Sequence, residues 1–428
     1  MEFINRTEEM RKLRASDDPL LVLFGRRRVG KTALALEYAR KEASGSKVHY
    51  SQAIEGAESL QLDQICDDFG DLLPKVSVTR WQDFLSLLSR VTEKCILIID
   101  EFPYLVKTQP SLPSLLQRWL DHDRPKNMRL ILLGSSQTMM HDLFLDSHAP
   151  LYERAGEILR LEPMKFKHFC QALKYAPDDE NSYLKFSLVG GVPKYWDYVK
   201  RSKTILELAD DLYLSVGARL ENEPDRLLKD ENIVGEQAKH ILELVGRGVA
   251  RPSEMAGRLG IKQSSLSTPL QLLRNASLLG RDIPFGESER SSKRSLYYIQ
   301  DHCLSFWYGV YSPHRTRWQT YPKDKKLKLI RDHASLMFER DIRAIHRDAA
   351  RYWDANAEFD SVRYKDGVDD TVLVSEIKFR SLSKREILTI KLQLDEALAA
   401  SPISKKYKCI PDVIGIEDGL RRLTDSVP

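Results

Sequence analysis

The sequence predicts an α/β fold, with a parallel sheet at the amino-terminal end, a helical stretch after it, and two smaller modules behind. Three observations predict it. Apolar runs at residues 21–24, 95–99 and 128–133 read as strands buried on both faces. Segments of helical period separate them, which calls for parallel strands joined by crossovers. Each run ends in small or polar residues: Gly25, Asp100 with Glu101, and Gly134 with Ser135 and Ser136. Candidate chemistry therefore gathers at the carboxyl ends of the strands.

Residues 3–14 read as a cap followed by a short helix, with Asn5 or Thr7 as the cap and Glu8 and Glu9 in the first turn. Contact with a nucleotide base is an alternative role for this stretch. The strand at 21–24 breaks at Gly25, and a helical pattern starts at Lys31. Between them stands Gly25-Arg26-Arg27-Arg28-Val29-Gly30-Lys31-Thr32-Ala33, which contains the full P-loop pattern. The two glycines let the backbone curl so that its N–H groups face a polyphosphate. Lys31 brings a point charge to the β/γ-phosphates, Thr32 offers a hydroxyl to Mg²⁺, and the helix aims its N-terminus at the anion. Residues 47–51 read as a second short strand.

The run at 95–101 ends in two carboxylates, the Walker B arrangement. There Asp100 is expected in the Mg²⁺ shell, with Glu101 orienting the attacking water. The run at 128–136 places Ser135 or Ser136 where a polar group senses the γ-phosphate; capping of the next helix is the other reading.

Gly25–Thr32, Ile98–Pro103, Leu133–Ser136 and Pro150–Arg154 together resemble the archaeal-type ATPase family, a branch of the STAND class of AAA+-related NTPases. The resemblance spans about residues 1–230. It implies ATP as the nucleotide, since no base-reading motif separates adenine from guanine. It also implies a catalytic guanidinium at Arg154; a surface arginine is the alternative, and Glu153 stands where the family usually has a small residue. Residues 162–230 read as helical, and Gly190-Gly191-Val192-Pro193 resembles the Gly-x-Pro signature of STAND lids. By that resemblance Pro193 reaches the nucleotide. Read alone, two glycines and a proline mark a helix junction.

Residues 233–299 read as three helices and a two-stranded wing, a winged helix. Gln263, Ser264, Ser265 and Ser267 on the third helix, with Arg281, Arg290, Lys293 and Arg294 on the wing, suit DNA; contact with a protein partner is the equal alternative. The aromatic stretch around Phe306, Trp307 and Tyr308 reads as core. The Lys-rich 313–331 reads as a solvated linker or a polyanion track.

Near the carboxyl end, a strand at 358–364 carries Asp360 and a strand at 371–379 carries Glu376 and Lys378 on one face. Two carboxylates converging on one point offer oxygen ligands to Mg²⁺, and the lysine can activate water or neutralise a phosphate. The pattern resembles the PD-(D/E)XK nuclease fold, although Phe359 replaces its proline. That resemblance implies Asp360 and Glu376 as metal ligands, Lys378 as the catalytic lysine, Glu339 as a supporting helix acid and Gln393 as an accessory.

The expected domains are an ATPase core at 1–160, a helical lid at 161–230, a winged helix at 231–300, a linker at 301–332 and a nuclease-like domain at 333–428. A chain of 428 residues has room for two to four domains. A composition 42% hydrophobic and 30% charged is that of a soluble globular protein, and a net charge of +4 hints only weakly at a polyanion partner. Five cysteines without C-x-x-C spacing fit a reducing cytosol and argue against a disulfide scaffold or a zinc knuckle. No signal peptide is read at the start, and no run approaches the ~18 apolar residues of a membrane span. The expected protein is cytoplasmic, with homo-oligomerisation open. Its ATPase controls a winged-helix and nuclease-like effector acting on DNA. The alternative is a signalling or assembly switch that binds without cutting. A metabolic kinase lacks any sign of an acceptor pocket.

Overall fold

The computed structural model describes residues 3–42, 45–74, 76–200, 204–215, 217–290 and 292–425. The chain divides into two units: Met1–Pro163 with Leu227–Asn232, and Met164–Arg226 with Ile233–Pro428.

The first unit is built on five parallel strands: β1 (Leu20–Phe24), β2 (Lys47–Gln52), β3 (Cys95–Asp100), β4 (Met128–Gly134) and β5 (Glu157–Arg160). Their order in the sheet is β2-β3-β4-β1-β5. Strand alternation sends Leu20, Val22, Leu97, Ile99, Leu130 and Leu132 into one core. It sends Leu21, Leu23, Ile96, Ile98, Ile131 and Leu133 into the other. Both faces are covered, which is why these strands read as continuous apolar runs. Helix Thr7–Ala15 starts after Arg6, which has left-handed backbone and makes no side-chain cap. The expected cap at Asn5 or Thr7 is therefore corrected.

The second unit buries more than one apolar cluster. In one, Phe166, Phe169, Tyr183, Phe186 and Trp196 pack with Cys303, Phe306, Ile330, Phe338, Ile377 and Leu420. Residues read as a separate lid thus share a core with the carboxyl-terminal part of the chain. The charged stretch read as a solvated linker or a polyanion track is helical from Lys323 on. Lys323–Arg343 is one helix, and its Ile330, Ala334 and Phe338 are fully buried at four-residue spacing. Burying side chains such as Ile330 and Phe338 contributes roughly 1.5–3 kcal/mol each, which overrides the local charge. Helices Glu236–Gly246, Pro252–Leu259 and Ser267–Asn275 precede an antiparallel pair, β6 (Leu279–Asp282) and β7 (Leu296–Ile299). A four-stranded sheet follows: β8 (Ala350–Trp353), β9 (Glu358–Lys365), β10 (Val368–Ile377) and β11 (Lys408–Ile414), in the order β11-β10-β9-β8. Its β10–β11 pair is parallel and the other pairs are antiparallel. Helix Lys384–Ala400 covers it through Leu394 and Leu398, with Val362, Val372 and Val374 on the sheet side. Among the described residues no helix is long and apolar enough to cross a membrane.

Candidate functional site

In the first unit, β4 lies between β3 and β1. The Ser135 end of β4 therefore sits between the carboxylates closing β3 and the loop closing β1. That loop curls because Gly25 and Gly30 have φ of 146° and 105°, values that L side chains rarely adopt. A Cβ at Gly25 would also lie 2.5 Å from the Leu161 carbonyl oxygen. Arg28 takes left-handed backbone as well, at φ 68°. Arg26 is buried, and Val29 is buried in the core beneath the loop. Arg6 braces the loop from outside, donating to the carbonyls of Val29 at 3.0 Å and Glu162 at 2.9 Å.

Lys31 opens helix Lys31–Glu42, with Ala33 exposed in its first turn. Its ammonium curls back to donate to Gly25 O at 2.9 Å and Arg26 O at 3.2 Å. Burial lowers its pKa, against the attraction of Glu101 and Asp100. The Thr32 hydroxyl donates to Asp100 Oδ2 at 2.5 Å. Tyr50 OH donates to the same oxygen at 3.2 Å, and the Glu101 amide donates to Asp100 Oδ1 at 2.9 Å. Burial, then Asp100, pushes the Tyr50 phenol up, so it stays a donor. Glu101 adopts φ 56°, turning its carboxylate away from the strand line. Its Oε2 accepts from Ser135 Oγ at 2.6 Å and from the Ser135 amide at 3.2 Å. Ser135 thus lies against Glu101, while Ser136 caps helix Gln137–Phe144 by accepting from the Met139 amide. Thr32 and Asp100 put two hard oxygen donors side by side, a set that suits Mg²⁺.

Two residues here, Asp230 and Glu231, had no local signal in the sequence. Arg27 donates to Asp230 Oδ1 at 2.7 Å and to Tyr104 OH at 3.1 Å. Glu231 accepts from Ser136 Oγ and from the amides of Gln137 and Thr138. Burial raises the Glu231 pKa against those bonds. Arg154 is held by Asp121, with Nε and NH2 donating at 3.0–3.2 Å. None of its hydrogen bonds reaches Lys31, Asp100 or Glu101. Pro193 belongs to the second unit, where it opens helix Pro193–Val199.

In the second unit, β9 and β10 pair Val362 with Val374 and Ser361 with Ser375. Continuing that register sets Asp360 opposite Glu376. Asp360 Oδ2 accepts from the Ile377 amide at 2.9 Å, and Lys378 Nζ donates to Glu376 Oε1 at 2.5 Å. Burial, then Glu376, raises the Asp360 pKa. Burial, then Asp360, pushes Glu339 up to about 7, with Arg343 and Lys378 opposing. Glu339, Asp360, Glu376 and Lys378 therefore share one electrostatic neighbourhood. Among the described residues no group of three or more His, Cys, Asp or Glu side chains is placed to hold a metal ion. The pair Asp360 and Glu376 alone falls short of such a cage.

Comparison with known proteins bears on the first unit. Residues 3–199 match the family described as an ATPase domain predominantly from Archaea. An uncharacterised protein of Methanocaldococcus jannaschii is 28% identical over 410 residues, covering 91% of this chain and 90% of that one. A Walker-type ATPase of Pyrococcus abyssi has a similar fold, with TM-score 0.52 and 19% identity, over 72% of this chain and 96% of that one. The parallel five-stranded sheet and the loop between β1 and Lys31 lie within the stretch that matches this family, residues 3–199, and agree with that similarity.

Proposed function

We propose that the chain is an ATP-hydrolysing switch whose second unit acts on DNA through a winged-helix segment and a nuclease-like site. The observation that carries the ATPase reading is the meeting of Thr32, Asp100, Glu101 and Ser135 at the ends of β1, β3 and β4. Thr32 Oγ1 and Asp100 would hold Mg²⁺, which when bound neutralises charge on the β- and γ-phosphate oxygens. Lys31 exchanges its two loop carbonyls for phosphate oxygens, a charge-assisted bond in place of a neutral acceptor. Glu101 orients the attacking water and accepts its proton, while the Ser135 donors fix which oxygen faces the water. Binding energy that differs between the triphosphate and diphosphate states supplies the switch.

In the second unit, residues 233–299 supply the helices and hairpin of a winged helix, which suits a DNA groove. Asp360 and Glu376 would hold Mg²⁺ at the nuclease-like site, where it would polarise a phosphodiester. Lys378 would neutralise the leaving charge. One observation favours the second reading, binding without cutting: the Lys378 ammonium is already closed on Glu376, and the metal-binding set is small.

The test is a nicking assay on supercoiled plasmid, single-stranded DNA and RNA with Mg²⁺, with and without ATP. Cutting by the wild type that Lys378→Ala loses supports the nuclease reading. Identical behaviour of the two proteins on every substrate ends it and leaves the binding switch. Failure of the purified chain to bind any nucleoside triphosphate would end both.

A further inference from the structure

A second basic site lies in the first unit, at the end of the sheet away from the P-loop. The P-loop follows the carboxyl end of β1. This site instead opens beside Pro19, Cys95 and Met128, where β1, β3 and β4 begin. It is a cavity of about 330 Å³, lined by Arg14, Lys94, Arg124, Lys126 and Arg129. Two carboxylates, Asp17 and Glu42, face these five cations. One of them is already used, since Arg14 Nε pairs with Glu42 at 2.7 Å.

The arginines are held in place by neutral acceptors. Arg129 donates to Tyr38 OH at 2.5 Å and to Ser16 O at 3.1 Å. Arg124 bonds the carbonyls of Pro125 and Met128 through NH1 alone. Its Nε is buried with no hydrogen-bond partner, and burial lowers its pKa. Among the described residues no ion pair engages Lys94, Arg124, Lys126 or Arg129. Positive charges that crowd one another around a cavity are a cost that an anion in it relieves.

We infer that this cavity binds a small phosphorylated anion, with the Arg124 and Arg129 guanidiniums as fixed donors and Lys94 and Lys126 as flanking charges. Planar guanidiniums match phosphoryl oxygens in bidentate geometry, and four cations facing the one remaining carboxylate, Asp17, suit a group of charge −2 or more better than a single carboxylate. The volume is that of a small-ligand pocket.

The test uses the full chain carrying Lys31→Ala, so that the P-loop does not compete. Inorganic tripolyphosphate, adenosine monophosphate and citrate are titrated by calorimetry, alone and after adding Lys94→Glu with Lys126→Glu. Both lysines are exposed, and an unchanged thermal midpoint verifies folding. Saturable binding of tripolyphosphate or of the monophosphate, weakened about tenfold or more by the two reversals, supports the site. The ratio between those two ligands distinguishes an inorganic from a nucleotide source. Binding that the reversals leave intact, or no saturable binding of either phosphate, overturns it. So does preference for citrate, or capture of duplex DNA without tripolyphosphate binding.

Discussion

The Arg27 guanidinium of the P-loop donates to Asp230 Oδ1 at 2.7 Å, across 203 residues of chain. The next residue, Glu231, sits on the amides that open helix Gln137–Phe144. Residues 227–232 therefore strap across the ends of β1 and β4, though the chain on either side belongs to the second unit. On the proposed reading, Asp230 competes with phosphate for Arg27 and adds negative charge beside the nucleotide. Asp230→Ala is expected to tighten ATP binding by up to about fivefold, the scale of a partly exposed ion pair. Titration with a fluorescent ATP analogue checks this; weaker binding would mean that the strap orders the loop for nucleotide.

On the proposed reading, Lys31 serves binding and Glu101 serves the chemistry. Lys31→Ala removes the charge that meets the phosphates, so ATP affinity is expected to collapse along with turnover. Glu101→Gln keeps the size and the Ser135 contact but removes the base. Hydrolysis is expected to fall about 10²-fold or more while ATP affinity stays near that of the wild type. Parallel binding and single-turnover measurements separate the two. Equal loss of affinity in both variants would contradict the assignment of Glu101.

How much of this was legible in the sequence depends on distance along the chain. Gly25, Lys31, Asp100, Glu101 and Ser135 lie in motifs a few residues long at the ends of apolar runs, so the sequence points to them directly. The β9–β10 pairing was readable because alternation places Val372, Val374 and Glu376 on one face. The strap was not: Asp230 and Glu231 stand in an ordinary charged helix end, and only tertiary contact gives them meaning. Nor was the first half of helix Lys323–Arg343, where lysines and arginines hide a four-residue apolar repeat; from residue 334 on, the sequence does read as helical, around Phe338 and Glu339. β5 escaped because a four-residue edge strand, Glu157–Arg160, alternates too briefly to register.

Arg154 tests whether a family resemblance transfers a role. Its guanidinium is forked onto Asp121, with both side chains about one third exposed. A pair of that kind contributes about 0–1 kcal/mol, so Arg154→Ala is expected to shift the unfolding midpoint little. In dilute protein, turnover is expected within about threefold of the wild type, because a group bonded elsewhere stabilises no transition-state charge. A fall beyond a hundredfold with ATP binding intact would restore the arginine to catalysis.

A buried histidine, His333, and a partly buried one, His302, give the second unit opposing responses to pH. His302 Nε2 lies 3.1 Å from Asp341 Oδ2, which also accepts from Tyr183 OH at 2.7 Å. Burial lowers the His302 pKa, but Asp341, with Asp301 adding, outweighs it and raises the value above 6.5; Arg340 opposes. A base with a raised folded pKa contributes stability that is complete below its unfolded value and lost as pH climbs through the folded one. His333 is the reverse case. Burial drops it to about 3, although Ser187 O accepts from its Nε2 at 2.8 Å, and His302 and Arg340 add repulsion. Its contribution is complete above about 6.5 and is lost as pH falls. Urea midpoints are therefore expected to peak near neutrality, with each histidine changing stability by up to about 1.4 kcal/mol per pH unit on its own limb. His333→Gln is expected to flatten the limb between pH 6 and 5, above the range where most carboxylates titrate. His302→Gln is expected to flatten the alkaline limb. Limbs unchanged in the matching variants would assign the pH response to other groups.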